Sequence, residues 1–153
     1  MHFPIYAPTE TLISLVKFYN LKITQSSIKK SVSLHQDSTS LLCLSDTLSK
    51  LNIENTSLTI QPEQLALIEE PFIAHTFFDG GSFLFISEVT ETNITYITSP
   101  GKSKQLPIEL FKQYWSGIIM LFEIENYIEE EDYTAKKREE FFIKTQPYLL
   151  ITA

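Results

Sequence analysis

At 153 residues, with 43% hydrophobic and 12% aromatic side chains, the chain can bury one sizeable core, and no composition break before about residue 120 divides it. A formal charge of −7 and scattered Lys and Arg exclude nucleic acid as a principal partner, because phosphate neutralisation needs a clustered basic surface. The single cysteine, Cys43, excludes an internal disulfide and an all-cysteine metal site, and fits a reducing compartment.

The first helix is expected from Leu12, Leu15, Val16 and Tyr19, which recur at i, i+3, i+4 and i+7 and so share one face. Thr9, after Pro8, reads as its N-cap. Glu10 and Lys17 interrupt the apolar residues of this segment, and no basic run precedes it, so Met1 to Asn20 does not read as a signal peptide. A second helix follows, capped by Thr24 and carrying Ile28 and Val32 on one side. A third is expected from about Ser38 to Lys50, with Leu41, Leu44, Leu48 and Leu51 at helical spacing and Cys43 inside it.

From Asn55 the period changes. Thr56 to Ile60 reads as a strand, and Gln61-Pro62-Glu63-Gln64-Leu65 as a helical turn with Pro62 at its first position. Three β-rich runs come next, over residues 72–77, 82–87 and 93–98, the first two joined through a turn at Asp79-Gly80-Gly81. A helix starting at Leu106-Pro107 and running through Ile108, Phe111 and Tyr114 leads into a buried strand over residues 117–122. Helices first and antiparallel strands after give an α+β class.

The end of the chain has another composition. Glu129-Glu130-Glu131-Asp132 is a like-charge block, Lys136-Lys137-Arg138 a basic one, and both read as a solvated helix or linker. The division expected is residues 1–123 as a domain and 124–153 as a charged helical tail, projecting from about Glu125. Nowhere does the sequence reach the ~20 consecutive apolar residues that span a bilayer. Tyr148 to Ile151 is apolar and could open such a segment, with the basic cluster against anionic headgroups.

For chemistry the sequence offers few groups. Cys43, among Leu41, Leu42 and Leu44, reads as a small packed residue. His75, after Phe72, Ile73 and Ala74, reads as a satisfied structural histidine; His2 and His35 read as terminal and loop residues. The three share no ligand spacing, so neither metal nor cofactor is expected. Phe77, Phe78, Phe83 and Phe85 read mostly as core, with an exposed subset able to line a peptide groove.

Several segments, in order, resemble the bacteriocin-processing cysteine peptidases, the papain-like double-glycine peptidase domains of bacterial ABC exporters. Lys17-Phe18-Tyr19-Asn20 is similar to the end of that family's first helix, Ser38-Thr39-Ser40 to the opening of its leucine-rich helix, and Glu70 to His75 to a proline-led strand. Gly81 to Ile86 resembles the strand that begins with the catalytic histidine, Ser99-Pro100-Gly101 the aspartate-proline turn, and Trp115-Ser116-Gly117 the closing Trp-x-Gly. The likeness covers roughly residues 4–123 and implies a papain-like fold with helices packed on an antiparallel sheet.

Carried over residue by residue, the nucleophile position is Ala7, the general base position Ser82 and the orienting acid position Ser99. A thiol peptidase needs a thiolate, an imidazole to activate it and a group that fixes the imidazole. The resemblance therefore implies a degenerate member, a pseudo-peptidase that is not an enzyme. It would bind a peptide or protein segment in its cleft, or regulate the membrane domain of the same full-length chain. That domain would be an ABC exporter or a vitamin K epoxide reductase-like thiol oxidase, with this module on the cytoplasmic face of a bacterial inner membrane. Two other readings stay open: an active cysteine peptidase with a displaced site using Cys43 and His75, and an unrelated α+β interaction domain.

Overall fold

The structure, a computed structural model, describes residues 6–99 and 102–152. His2 and the Pro100-Gly101 turn lie outside the described residues, as do the side chains of Asp79, Ser99 and residues 144–152.

Three helices open the chain: α1 (Pro8–Phe18), α2 (Gln25–Ser33) and α3 (Leu41–Lys50). The first starts earlier than the N-cap expected at Thr9, because Pro8 is preset for a first helical position and Ala7 takes the extended cap conformation before it. Helix α2 is capped as expected, the Thr24 side chain accepting from the Ser27 N–H. In α3 the Ser40 hydroxyl accepts from the Cys43 N–H, which sets the start at Leu41 rather than Ser38. Asn20 and Asn52 take left-handed φ of 52° and 57° just past α1 and α3, where asparagine tolerates the turn.

Among the described residues six strands form one antiparallel sheet: β1 (Glu54–Thr59), β2 (Phe72–Thr76), β3 (Ser82–Val89), β4 (Asn93–Ser99), β5 (Lys102–Pro107) and β6 (Trp115–Glu123), in the spatial order β1-β6-β2-β3-β4-β5. A 3-10 turn, Pro62–Leu67, follows β1, and α4 (Ile108–Tyr114) precedes β6. Strand β5 is absent from the sequence expectation. Its Lys-Ser-Lys-Gln run is exposed on the sheet edge and only Leu106 is buried, so it carries no apolar alternation to read.

The sheet has a core on each face. Under α1, α2 and α3 lie Leu15, Ile28, Leu44, Leu48, Ile73, Phe85 and Met120; on the opposite face Phe72, Leu84, Ile94, Phe111 and Ile119 close over α4. Truncating a fully buried side chain such as Leu15 costs about 2–5 kcal/mol. This two-sided packing matches the α+β expectation of helices on an antiparallel sheet.

Beyond β6, residues 124–130 run back over the helical side. The Ile128 N–H donates to the Leu51 C=O at 2.8 Å and the Glu130 N–H to the Lys22 C=O at 3.0 Å. The Glu130 carboxylate accepts from the Thr24 N–H, the Thr24 hydroxyl and the Ser27 hydroxyl. Helix α5 (Tyr133–Thr152) then passes α2, the Ser26 N–H donating to Glu140 Oε1 at 2.9 Å. The segment expected to project from about Glu125 is thus tied to the body at both Glu130 and Glu140, because α2 presents first-turn N–H groups that carboxylates satisfy.

Candidate functional site

The start of α1 is clamped onto the start of β3. The Tyr6 N–H donates to Ser82 Oγ at 2.6 Å, the Phe83 N–H donates to the Tyr6 C=O at 2.9 Å, and the Thr11 hydroxyl donates to the Phe83 C=O at 2.7 Å. Ala7 and Ser82, far apart in sequence, are therefore brought together through Tyr6. Ser82 is fully buried, and its hydroxyl sits against Tyr6 rather than on an open wall. Ala7 offers a methyl group, and its N–H donates to Glu10 Oε2 at 3.1 Å. Burial, with Tyr96 and Glu10 nearby, pushes the Tyr6 phenol up. The backbone of Ser99 closes β4, pairing with Lys102 of β5.

The β2–β3 turn opens a pocket of about 370 Å³, lined by Thr39, Ser40, Leu41, His75, Phe83 and Ile118 together with Gly80 and Gly81. Two of its walls, Gly81 and Phe83, are the chain neighbours of Ser82. Gly81 has φ +135°, a conformation that L side chains rarely adopt, and a Cβ there would stand 3.5 Å from His75 Nε2. From the other side the Ser116 hydroxyl of the Trp115-Ser116-Gly117 motif donates to the His75 C=O at 3.0 Å.

His75 is not the satisfied histidine expected from its apolar neighbours: its Nδ1 is buried with no hydrogen-bond partner. Burial lowers its pKa, which favours the neutral ring. The sequence signal was limited to a polar residue in an apolar run, beside a Gly-Gly turn.

Cys43 is fully buried in α3, and burial pushes its thiol up, the opposite of what makes a thiolate reactive. His35 pairs with Asp46 at 2.8 Å and its Nδ1 accepts from the Asp37 N–H, a local tie between the α2–α3 loop and α3. Among the described residues no group of His, Cys, Asp and Glu side chains is arranged to hold a metal ion.

The sequence profile of the Peptidase C39 family matches residues 10–126. The chain belongs to that family. No curated protein matches it in sequence. Among solved structures, it is similar to a double glycine motif protease from an AMS/PCAT transporter in complex with the leader peptide, at 17% identity and TM-score 0.63, covering 80% of this chain and 86% of that one. The peptidase domain of Streptococcus ComA, a bi-functional ABC transporter of a quorum-sensing pathway, gives 16% identity and TM-score 0.64 over 80% of this chain and 93% of that one. The N-terminal peptidase C39-like domain of a toxin secretion ATP-binding protein from Vibrio parahaemolyticus gives 13% identity and TM-score 0.61, covering 80% of this chain and all of that one. At such identities the likeness establishes a shared fold.

One expectation is overturned by these findings. Membership of a peptidase family, and a fold shared with a double glycine motif protease, point to a peptidase, whereas the residues Ala7, Ser82 and Ser99 had suggested a chain that is not an enzyme. Ala7, Ser82 and Ser99 are three side chains only. The family match rests on the whole span of residues 10–126, which begins beyond Ala7.

Proposed function

We propose that this C39 peptidase domain recognises a peptide segment in the pocket between the β2–β3 turn and the start of α3, as the soluble part of an ABC-exporter-like membrane protein on the cytoplasmic face. The observation that carries the reading is the pocket itself. Gly81 and Phe83 in its lining flank Ser82 in the chain, one of the positions where the resemblance puts the family's working residues, and it combines apolar walls at Leu41, Phe83 and Ile118 with few polar groups. A relative of the same fold was solved with a leader peptide, which supports a peptide as ligand. One relative reported above is the peptidase domain of an ABC transporter and another comes from an AMS/PCAT transporter, which favours an exporter over the thiol-oxidase fusion. Among the described residues no helix is long and apolar enough to cross a membrane.

The test is fluorescence anisotropy with a labelled double-glycine leader peptide, the same sample being read by mass spectrometry for cleavage. Saturable binding that drops at least several-fold in Leu41→Asp supports the reading. Absence of binding across a panel of such peptides removes it.

A further inference from the structure

The His75 ring is held between two aromatic side chains, Phe77 edge-on at 5.5 Å and Phe83, its cross-strand partner, tilted at 5.3 Å. Its two nitrogens face different surroundings. Nδ1 is sealed inside the protein without a partner, while Nε2 lies toward Gly81, 3.5 Å from the point where a Cβ would stand. A proton on Nδ1 would bury an N–H donor with nothing to accept it; a proton on Nε2 leaves only an unused lone pair inside. The lower-cost form is therefore the Nε2–H tautomer, with the donor on the glycine side, where the missing side chain leaves it accessible.

The lining decides what such a donor can hold. Among the described residues no Lys, Arg, Asp or Glu lines the pocket. Leu41, Phe83 and Ile118 supply apolar surface, and Thr39 a hydroxyl. A neutral donor among such apolar walls matches a neutral acceptor on an apolar or backbone-only ligand, which is the description of a peptide carbonyl.

We propose that His75 is a peptide-binding residue, its Nε2–H donating to a backbone carbonyl of a chain laid past Gly80 and Gly81. This rests on the peptide-binding reading above and assigns that site a specific donor. The glycines are part of it, since any side chain at residue 81 would stand between Nε2 and the carbonyl.

The experiment uses the whole chain, with histidine ring nitrogens labelled with ¹⁵N, and a synthetic leader peptide ending in Gly-Gly. In the free protein the long-range ¹H–¹⁵N spectrum is expected to show His75 as the Nε2–H tautomer, and added peptide to shift that nitrogen. His75→Phe should weaken binding roughly 3–10-fold, the worth of one neutral hydrogen bond. His75→Gln, which can place an amide N–H near the same point, should restore most of it. An Nδ1–H tautomer, or peptide binding unchanged in His75→Phe, overturns the inference while leaving the peptide reading intact. If no leader peptide binds the wild-type chain, the peptide reading falls and the inference falls with it.

Discussion

Ser82 and His75 sit at opposite arms of one hairpin, and they differ in how their polar atoms are used. The Ser82 hydroxyl is fully buried and bonded to Tyr6, so it acts as a fastener between β3 and the start of α1. One His75 nitrogen is buried without a partner and the other is turned to a pocket. A buried polar group that is satisfied has its purpose inside the fold. One left unsatisfied costs about 1–3 kcal/mol and calls for a reason outside the local packing.

The comparison is broken most directly at Ser82. Ser82→Val removes the acceptor of the Tyr6 N–H, and unfolding in denaturant is expected to show a loss of about 1–3 kcal/mol. A loss near zero would mean that Ser82 is no fastener. Gly81→Ala comes next. At φ +135° the methyl is strained whatever the space, and a cost of about 1 kcal/mol or more is expected by the same measurement, together with weaker peptide binding.

Glu130→Ala probes a second satisfied group. It strips the Thr24 and Ser27 hydroxyls of their shared acceptor, and about 1 kcal/mol should be lost from the thermal unfolding of the body. An unchanged midpoint would show residues 124–130 to be a passive covering.

The smallest effect belongs to pH. The folded-state pKa of His75 is lowered by burial, so below about 6.5 the unfolded chain binds a proton that the folded chain does not. Stability is therefore highest above that value, falls as the pH drops through it, and levels off below the folded-state pKa. His75→Leu should flatten this part of the stability profile, measured by denaturation between pH 5 and about 7.5. An equal slope in both proteins would assign the pH dependence to other groups.

Much of the fold is legible in the sequence. The 3.6-residue stripe of Leu12, Leu15 and Val16, the Thr24 cap and the apolar runs of β2 and β3 each follow from local chemistry and appear where expected. Strand β5 could not be read, because its stability comes from pairing with β4 and not from its own side chains. The clamp of Tyr6 on Ser82 was not legible, since seventy-six positions separate the two, and the family resemblance marked only Ala7 and Ser82 as positions of interest. The state of His75 was illegible: satisfaction of a ring nitrogen depends on neighbours that strand order alone brings near. Activity was not legible from Ala7, Ser82 and Ser99 for a related reason, as family membership is carried by the whole arrangement of α1 through β6.

The docking of Glu130 and Glu140 on α2 has a mechanical meaning. Both carboxylates meet backbone N–H groups at the same helix end, one from the segment before α5 and one from its second turn. A single attachment would let a rod pivot. With one hold ahead of the helix and one on it, the opening turns of α5 are kept beside the start of α2.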